Sequence, residues 1–235
     1  NEGRTIGILI WKIRKVMKEC GRDYEVLVLD DASTDGMPEV LERYRRALPM
    51  RVLTMERKIG YSAAVLRLLR EALDRTGYPK RDVAVILQAD FTESPEDIVP
   101  MINAIEGGAD VVAGSIKANG EPLPRSVRVA RWMAPLLLGR TFRGAPVSDP
   151  LSGFRAYRLI VLKKAQLNYR DSQVQTTDGW AANLELLGMV TPHARRIVET
   201  PVSLRYDVQV RPSRFRTIRT LRGLLRVRGE RWKIP

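Results

Sequence analysis

Two short apolar runs that end in polar, mostly acidic residues constrain the fold of this chain more than any other feature. Tyr24 to Leu29 runs directly into Asp30-Asp31, and Val83 to Leu87 into Gln88-Ala89-Asp90. Apolar runs of this length, bounded by polar residues, read as strands buried on both faces. Helical patterns alternate with them. Gly3 to Cys20 puts Ile6, Ile10, Ile13, Val16 and Met17 on one face, Met37 to Leu48 carries Pro38 in its first turn, and Gly60 to Thr76 is a third helix. Arg51 to Met55 and Asp110 to Ala113 add two strands. Ser94-Pro95-Glu96-Asp97 opens a further helix, with Ser94 as N-cap and acids in the first turn. Repeated β/α units predict an α/β fold, a mostly parallel sheet flanked by helices. In such sheets ligands bind outside the carboxyl ends of the strands, where these polar ends lie. The first predicted element is a helix, whereas such sheets normally begin with a strand, so a strand ahead of Asn1 is expected.

After Ser115 the pattern loosens. Lys117 to Pro124 and Gly144 to Gly153 read as loops, Arg125 to Leu138 and Asp178 to Leu187 as helices, and Ala194 to Val198 as a strand. No repeat or low-complexity linker divides the chain. One domain over 1–204, with halves at about 1–115 and 116–204, is followed by a distinct segment, 205–235.

That last segment is set apart by charge. Lys and Arg number 40 against 27 acids in the 235 residues, a net +13. Between Arg205 and Pro235 ten cations face two acids, so +8 of the excess lies there. Phe215, Ile218, Leu221, Leu224 and Leu225 recur at helical spacing, with Arg216, Arg219, Arg222 and Arg226 largely on another side. Such a helix suits an anionic membrane surface, or packs its apolar stripe on the domain and solvates its arginines. Nucleic acid is set aside as a partner, because no binding motif is present and the aromatics are not interleaved with the basic patch. One cysteine excludes a disulfide framework and fits a reducing compartment, and one histidine, His193, excludes multi-histidine metal sites. No apolar run reaches the roughly 20 residues that span a bilayer.

Four constellations are suited to chemistry. Asp30-Asp31-Ala32-Ser33-Thr34-Asp35-Gly36 places two acids at a strand end before a polar turn. Capping of the next helix explains Asp35 but not the adjacent pair. Asp90 leaves its strand where a carboxylate can hold a hard cation on a diphosphate, with Glu93 nearby either solvated or cap-related. Ser148-Asp149-Pro150-Leu151-Ser152-Gly153-Phe154-Arg155 suits a structured loop. Arg211-Pro212-Ser213-Arg214-Phe215 and the trio Arg125, Arg128 and Arg131 offer paired donors for phosphate oxygens.

Taken together and in order, these segments resemble the family 2 glycosyltransferases, especially the dolichol- or polyprenyl-phosphate sugar synthase branch. Asn1-Glu2-Gly3-Arg4-Thr5-Ile6 looks like the tail of the family's P-x-x-N-E strand end, and Asp30 to Gly36 like its D-D-x-S-x-D-G motif. Arg57 to Ala64 resembles R-x-x-G-x-x-x-A, Asp149 to Arg155 resembles D-x-x-S-G-F-R, and Glu199-Thr200-Pro201-Val202 and Ser213-Arg214-Phe215 resemble its late elements. The resemblance implies a glycosyltransferase A-type fold whose first strand lies ahead of Asn1. It makes 1–115 the nucleotide-binding half and 116–204 the acceptor half. The donor it implies is a nucleotide-diphosphate sugar, held at Asn1, Glu2, Asp30, Asp31 and Gly60. It also implies Mg²⁺ or Mn²⁺ at Asp90, a polyprenyl phosphate acceptor and inversion at the sugar carbon.

The family's D-x-D reads Gln88-Ala89-Asp90 here, and that lost charge weakens metal binding. An acceptor phosphate is already anionic and needs positioning rather than a base, for which Arg125, Arg128, Arg211 and Arg214 are candidates. A hydroxyl acceptor would need a base, with Asp149 and Asp178 the candidates. Trp132, Met133, Leu136, Leu137 and Leu138 read first as core packing and second as membrane contact. The expected setting is the cytoplasmic face of a membrane, held peripherally through 205–235. The alternatives are a hydroxyl-acceptor enzyme of the same fold and, because of Gln88, a non-catalytic nucleotide-sugar-binding protein.

Overall fold

The computed structural model describes residues 1–116, 123–139, 145–166, 179–205 and 217–226. The N-terminal half follows the predicted alternation: α1 (Ile6–Cys20), β1 (Val26–Asp30), α2 (Met37–Arg45), β2 (Met50–Thr54), α3 (Tyr61–Arg75), β3 (Val83–Ile86), α4 (Ile98–Glu106) and β4 (Val111–Ile116). Helix α1 starts three residues later than expected, because its leading residues bond to the loop after β1. The helix after Ser94 begins as a 3₁₀ turn, Pro95–Asp97. Ser94 Oγ donates to Glu96 Oε2 at 2.6 Å instead of capping a backbone N–H.

Beyond β4 come α5 (Arg125–Leu138), β5 (Arg155–Arg158), α6 (Leu159–Gln166), α7 (Trp180–Val190), β6 (Ile197–Val202) and α8 (Thr217–Arg226). Strand β5 and helix α6 have no counterpart in the sequence reading. Arg-Ala-Tyr-Arg carries no apolar run, yet Arg155, Ala156 and Tyr157 are all buried. The Arg155 guanidinium is accommodated by donating to the carbonyls of Pro150 and Asn183, each at 2.6 Å.

Strands β1 and β2 pair in parallel. The other four lie in the order β3-β5-β4-β6, with β4 and β6 parallel and β5 antiparallel to both neighbours. Three strands of this sheet therefore run one way and β5 alone is reversed. The reversal positions the site. Arg155 is in register with Ile86, the last residue of β3, and with Ala113 of β4. The loop that precedes Arg155 thus emerges at the carboxyl ends of those strands, beside Gln88 to Asp90.

Apolar clusters lie on the sheet faces. One joins α1 and α4 to β4 and β5 through Met101, Ile105, Val112 and Phe154. Another packs α1 and α2 on β1 and β2 through Ile10, Leu41 and Val28. A third joins α3, α6 and α7, and a fourth packs Leu138, Leu184 and Leu224 of α5, α7 and α8 together. The described part of the 205–235 segment is therefore packed on the domain. A cavity of about 2070 Å³ is lined by β1, β3 and the apolar face of α1. Among the described residues β1 pairs only with β2, and β3 only with β5, so each keeps one edge without a strand partner.

Candidate active site

The two acids at the end of β1 have different roles. Asp30 is 2% exposed, and its Oδ1 accepts the Ser33 N–H at 3.0 Å, closing the turn. Asp31 accepts the N–H groups of Ile59 at 2.6 Å and Gly60 at 3.2 Å. That pair of bonds ties the end of β1 to the start of α3. Gly60 has φ 85°, a conformation that side chains rarely adopt, so the turn that meets Asp31 depends on glycine there.

The first residues close onto the same loop. The Thr34 N–H donates to Asn1 Oδ1 at 2.7 Å, and Asn1 Nδ2 donates back to Thr34 Oγ1 at 3.1 Å. The Gly3 N–H donates to Asp35 Oδ2 at 2.8 Å. Burial opposes ionisation of Asp35, but donated N–H groups, Gly3 foremost, overcome it and lower its pKa. The Thr5 hydroxyl lies 3.3 Å from Glu2 Oε2 and 3.1 Å from the Ala89 carbonyl, joining this corner to the end of the β3 run.

That end is a tight turn. Asp90 Oδ1 accepts both the Thr92 N–H at 3.1 Å and the Thr92 hydroxyl at 2.7 Å. Phe91 between them has φ 66°, which costs a non-glycine residue about 1 kcal/mol or more. Glu93, read from sequence as solvated or cap-related, is instead buried at 3% exposure and accepts the Gln88 N–H at 2.8 Å. Burial pushes its pKa up to about 8; the Gln88 N–H works against that rise and the charge of Asp90 adds to it. The chain leaving β6 braces the turn, with the Arg205 N–H donating to the Thr92 carbonyl at 2.7 Å.

Glu2, Asp31, Lys58, Gln88 and Asp90 all line the large cavity. Of the five residues expected to hold the donor, Glu2 and Asp31 line it; Asp30 is engaged by the Ser33 N–H, Asn1 by Thr34, and Gly60 donates its N–H to Asp31. Lys58 lies within the Arg57–Ala64 segment, where an exposed lysine has no distinguishing sequence signal. Among the described residues no group of three or more His, Cys, Asp or Glu is placed to hold a metal. Asp90 supplies one carboxylate and Gln88 one neutral carbonyl. A hard cation that keeps one or two carboxylates and otherwise rests on substrate phosphates is compatible with that donor set.

The loop before β5 closes the other side. Asp149 is 8% exposed, and its Oδ2 lies 2.6 Å from both terminal nitrogens of Arg131 on α5. Its Oδ1 accepts the Leu151 N–H at 3.2 Å. The Ser148 N–H and hydroxyl both donate to Glu199 Oε1, at 2.9 and 2.6 Å, linking the S-G-F-R segment to the E-x-P-V segment. Tyr61 donates to Asn183 Oδ1 at 2.9 Å, and Asn183 Nδ2 donates to the Leu151 carbonyl at 3.0 Å. Burial raises the Tyr61 pKa, so the phenol remains a donor. Arg125 and Arg128 are exposed on α5. Arg211, Arg214 and Asp178 lie outside the described residues.

Residues 1–165, which contain all of these elements up to the loop before β5, match the model of Glycosyl transferase family 2. The chain belongs to that family. This family 2 glycosyltransferase is 29% identical over 212 residues to the polyprenol monophosphomannose synthase of Mycolicibacterium smegmatis, covering 86% of this chain and 73% of that protein. It is 29% identical over 178 residues to the dolichol-phosphate mannosyltransferase of Pyrococcus furiosus, covering 72% of this chain and 46% of that protein. The chain thus spans under half the length of the second relative. Its fold is that of the mannosyltransferase PcManGT from Pyrobaculum calidifontis, solved with GDP-Man and Mn²⁺ (TM-score 0.56, 16% identity, covering 94% of this chain and 59% of that one). S. aureus TarS 1-349 in complex with UDP-GlcNAc gives a TM-score of 0.54 at 18% identity, covering 90% of this chain and 59% of that one.

Proposed function

We propose that this glycosyltransferase moves a sugar from a nucleotide-diphosphate sugar to a polyprenyl phosphate, with inversion, at the cytoplasmic face of a membrane. The observation that carries the acceptor is the Arg131–Asp149 pair. Of the two acids suited to act as a base for a hydroxyl acceptor, Asp149 is engaged at 2.6 Å by the Arg131 guanidinium, and Asp178 lies outside the described residues. An acceptor whose oxygen is already anionic needs no such base. The names of the two relatives, a polyprenol monophosphomannose synthase and a dolichol-phosphate mannosyltransferase, favour the same acceptor.

In this reading a phosphate oxygen of the lipid attacks the anomeric carbon. The bond from that carbon to the diphosphate breaks on the opposite side, and the nucleoside diphosphate leaves with the electron pair. Asp31, through Ile59 and Gly60, shapes the nucleoside end, and Asn1 and Glu2 border it. Asp90 and Gln88 are the residues that would hold Mg²⁺ or Mn²⁺, which when bound offsets the negative charge of the diphosphate. Lys58 on the cavity wall adds a positive charge for phosphate oxygens. Among the described residues no helix is long and apolar enough to cross a membrane, which is compatible with peripheral attachment.

The test is calorimetric titration of UDP- and GDP-linked sugars with and without Mn²⁺, followed by addition of a short polyprenyl phosphate. Metal-dependent binding and lipid-stimulated release of nucleoside diphosphate are expected. Gln88 favours a second reading, a non-catalytic nucleotide-sugar-binding protein. Binding without release under any acceptor would establish it.

A further inference from the structure

Helix α5 turns two different faces. Val127, Ala130, Ala134 and Leu138 are buried at 1% exposure or less. On the opposite side Val129 is 49% exposed, Trp132 70% and Leu136 67%. At about 100° per residue these three, with Arg125 and Arg128, fall within an arc of about 100°. The sequence reading put Trp132 and Leu136 in the core first, and their exposure corrects that. Leu224 of α8, in the described part of 205–235, is fully buried against α5 and α7.

An exposed indole and leucine, aligned with two guanidinium groups, form a combined apolar and cationic surface. The arginines sit in the first turn of α5, where the helix dipole disfavours cations. Neither takes part in an ion pair among the described residues. Their placement is unfavourable for the isolated helix and favourable against an external anion. A second copy of this chain, itself at +13, does not supply that anion. An anionic bilayer supplies both the charge and the apolar layer, and tryptophan is suited to its interface.

We propose that the outward face of α5, Arg125, Arg128, Val129, Trp132 and Leu136, docks on an anionic lipid bilayer. It rests on the reading of a lipid acceptor and assigns the surface that brings the enzyme to it. The Arg131–Asp149 pair anchors α5 to the loop before β5, so the docked helix and the loop that flanks the candidate site are joined by a direct contact.

The experiment is sedimentation of the protein, without donor or acceptor, on phosphatidylcholine vesicles with and without phosphatidylglycerol. Wild type is expected to bind the anionic vesicles, less so at high salt. Trp132→Ser with Leu136→Ser is expected to lower that binding by about tenfold or more. Ile8→Ser with Trp11→Ser, which removes two exposed apolar residues from α1, should leave it unchanged. Leu136→Cys in a Cys20→Ser background, labelled with an environment-sensitive dye, should shift to the blue on vesicles, and it keeps Trp132 in place should the double variant misfold. Undiminished binding of the α5 variant, no dye shift, or loss of binding only with the α1 variant would overturn the proposal. So would a wild-type dimer that the α5 variant converts to monomer. Transfer to a short, water-soluble polyprenyl phosphate should be the same in wild type and the α5 variant. Failure of that transfer in both would remove the lipid-acceptor reading and leave the vesicle result intact.

Discussion

Asp149 Oδ2 lies 2.6 Å from both terminal nitrogens of Arg131, joining α5 to the loop that precedes the reversed strand. On the proposed reading Asp149 positions the loop rather than acting as a base. Asp149→Asn should leave a half-buried guanidinium underpaired and cost about 1–3 kcal/mol of stability. Arg131→Gln should produce a loss of similar size, and the double variant less than the sum. A double-mutant cycle by chemical denaturation measures the coupling, and steady-state kinetics should show Asp149→Asn retaining turnover. Abolished turnover with unchanged stability would identify a base.

The candidate metal site has one carboxylate, Asp90, where the D-x-D motif it resembles has two. Asp90→Asn should abolish any Mn²⁺ effect on nucleoside diphosphate binding. Gln88→Asp should strengthen metal-dependent binding by about tenfold, since it adds a hard anionic ligand. Calorimetry at fixed nucleotide and varied Mn²⁺ reads both variants.

Glu93 gives stability a characteristic pH dependence. Its pKa is about 8 in the folded protein against an ordinary 4.5. Between those values the folded state binds more protons than the unfolded state, so stability falls as pH rises through the window. The contribution is fully present below about pH 4.5 and is lost above pH 8, amounting to a few kcal/mol. Glu93→Gln keeps an acceptor for the Gln88 N–H and should remove this slope. Denaturation midpoints from pH 5 to pH 8.5, wild type against variant, check it.

Gly153 is required by its neighbours. A Cβ there would lie 2.7 Å from the Tyr61 hydroxyl and 3.0 Å from Asn183 Nδ2. Gly153→Ala should therefore disrupt the Tyr61–Asn183 bond and cost about 1–3 kcal/mol. Thermal unfolding measures the loss.

The N-terminal half was legible because its strands are apolar runs and its helices keep a clean periodicity. Element ends there moved by three residues or fewer, apart from the helix opening at Ser94, whose first turn is 3₁₀. Strand β5 was not legible, since Arg155 is buried through bonds to carbonyls that only the folded loop provides. Asp31 and Asp90 stand out in the sequence by their position at strand ends, and Gln88 only through the resemblance to the family's D-x-D motif. Glu93 was misread because nothing local distinguishes a carboxylate turned inward onto Gln88 from a solvated one. The orientation of Trp132 was misread because α5 carries apolar residues on both sides, and only its packing against α7 and α8 decides which side is buried.

The central claim is a phosphate acceptor that needs no base. The most direct measurement is transfer of labelled sugar from the nucleotide donor, with Mn²⁺, to a polyprenyl phosphate and to the corresponding polyprenol. The account predicts label in the phosphate-linked lipid and none above background in the polyprenol. Equal labelling of the polyprenol, or transfer only to a hydroxyl acceptor, would contradict it.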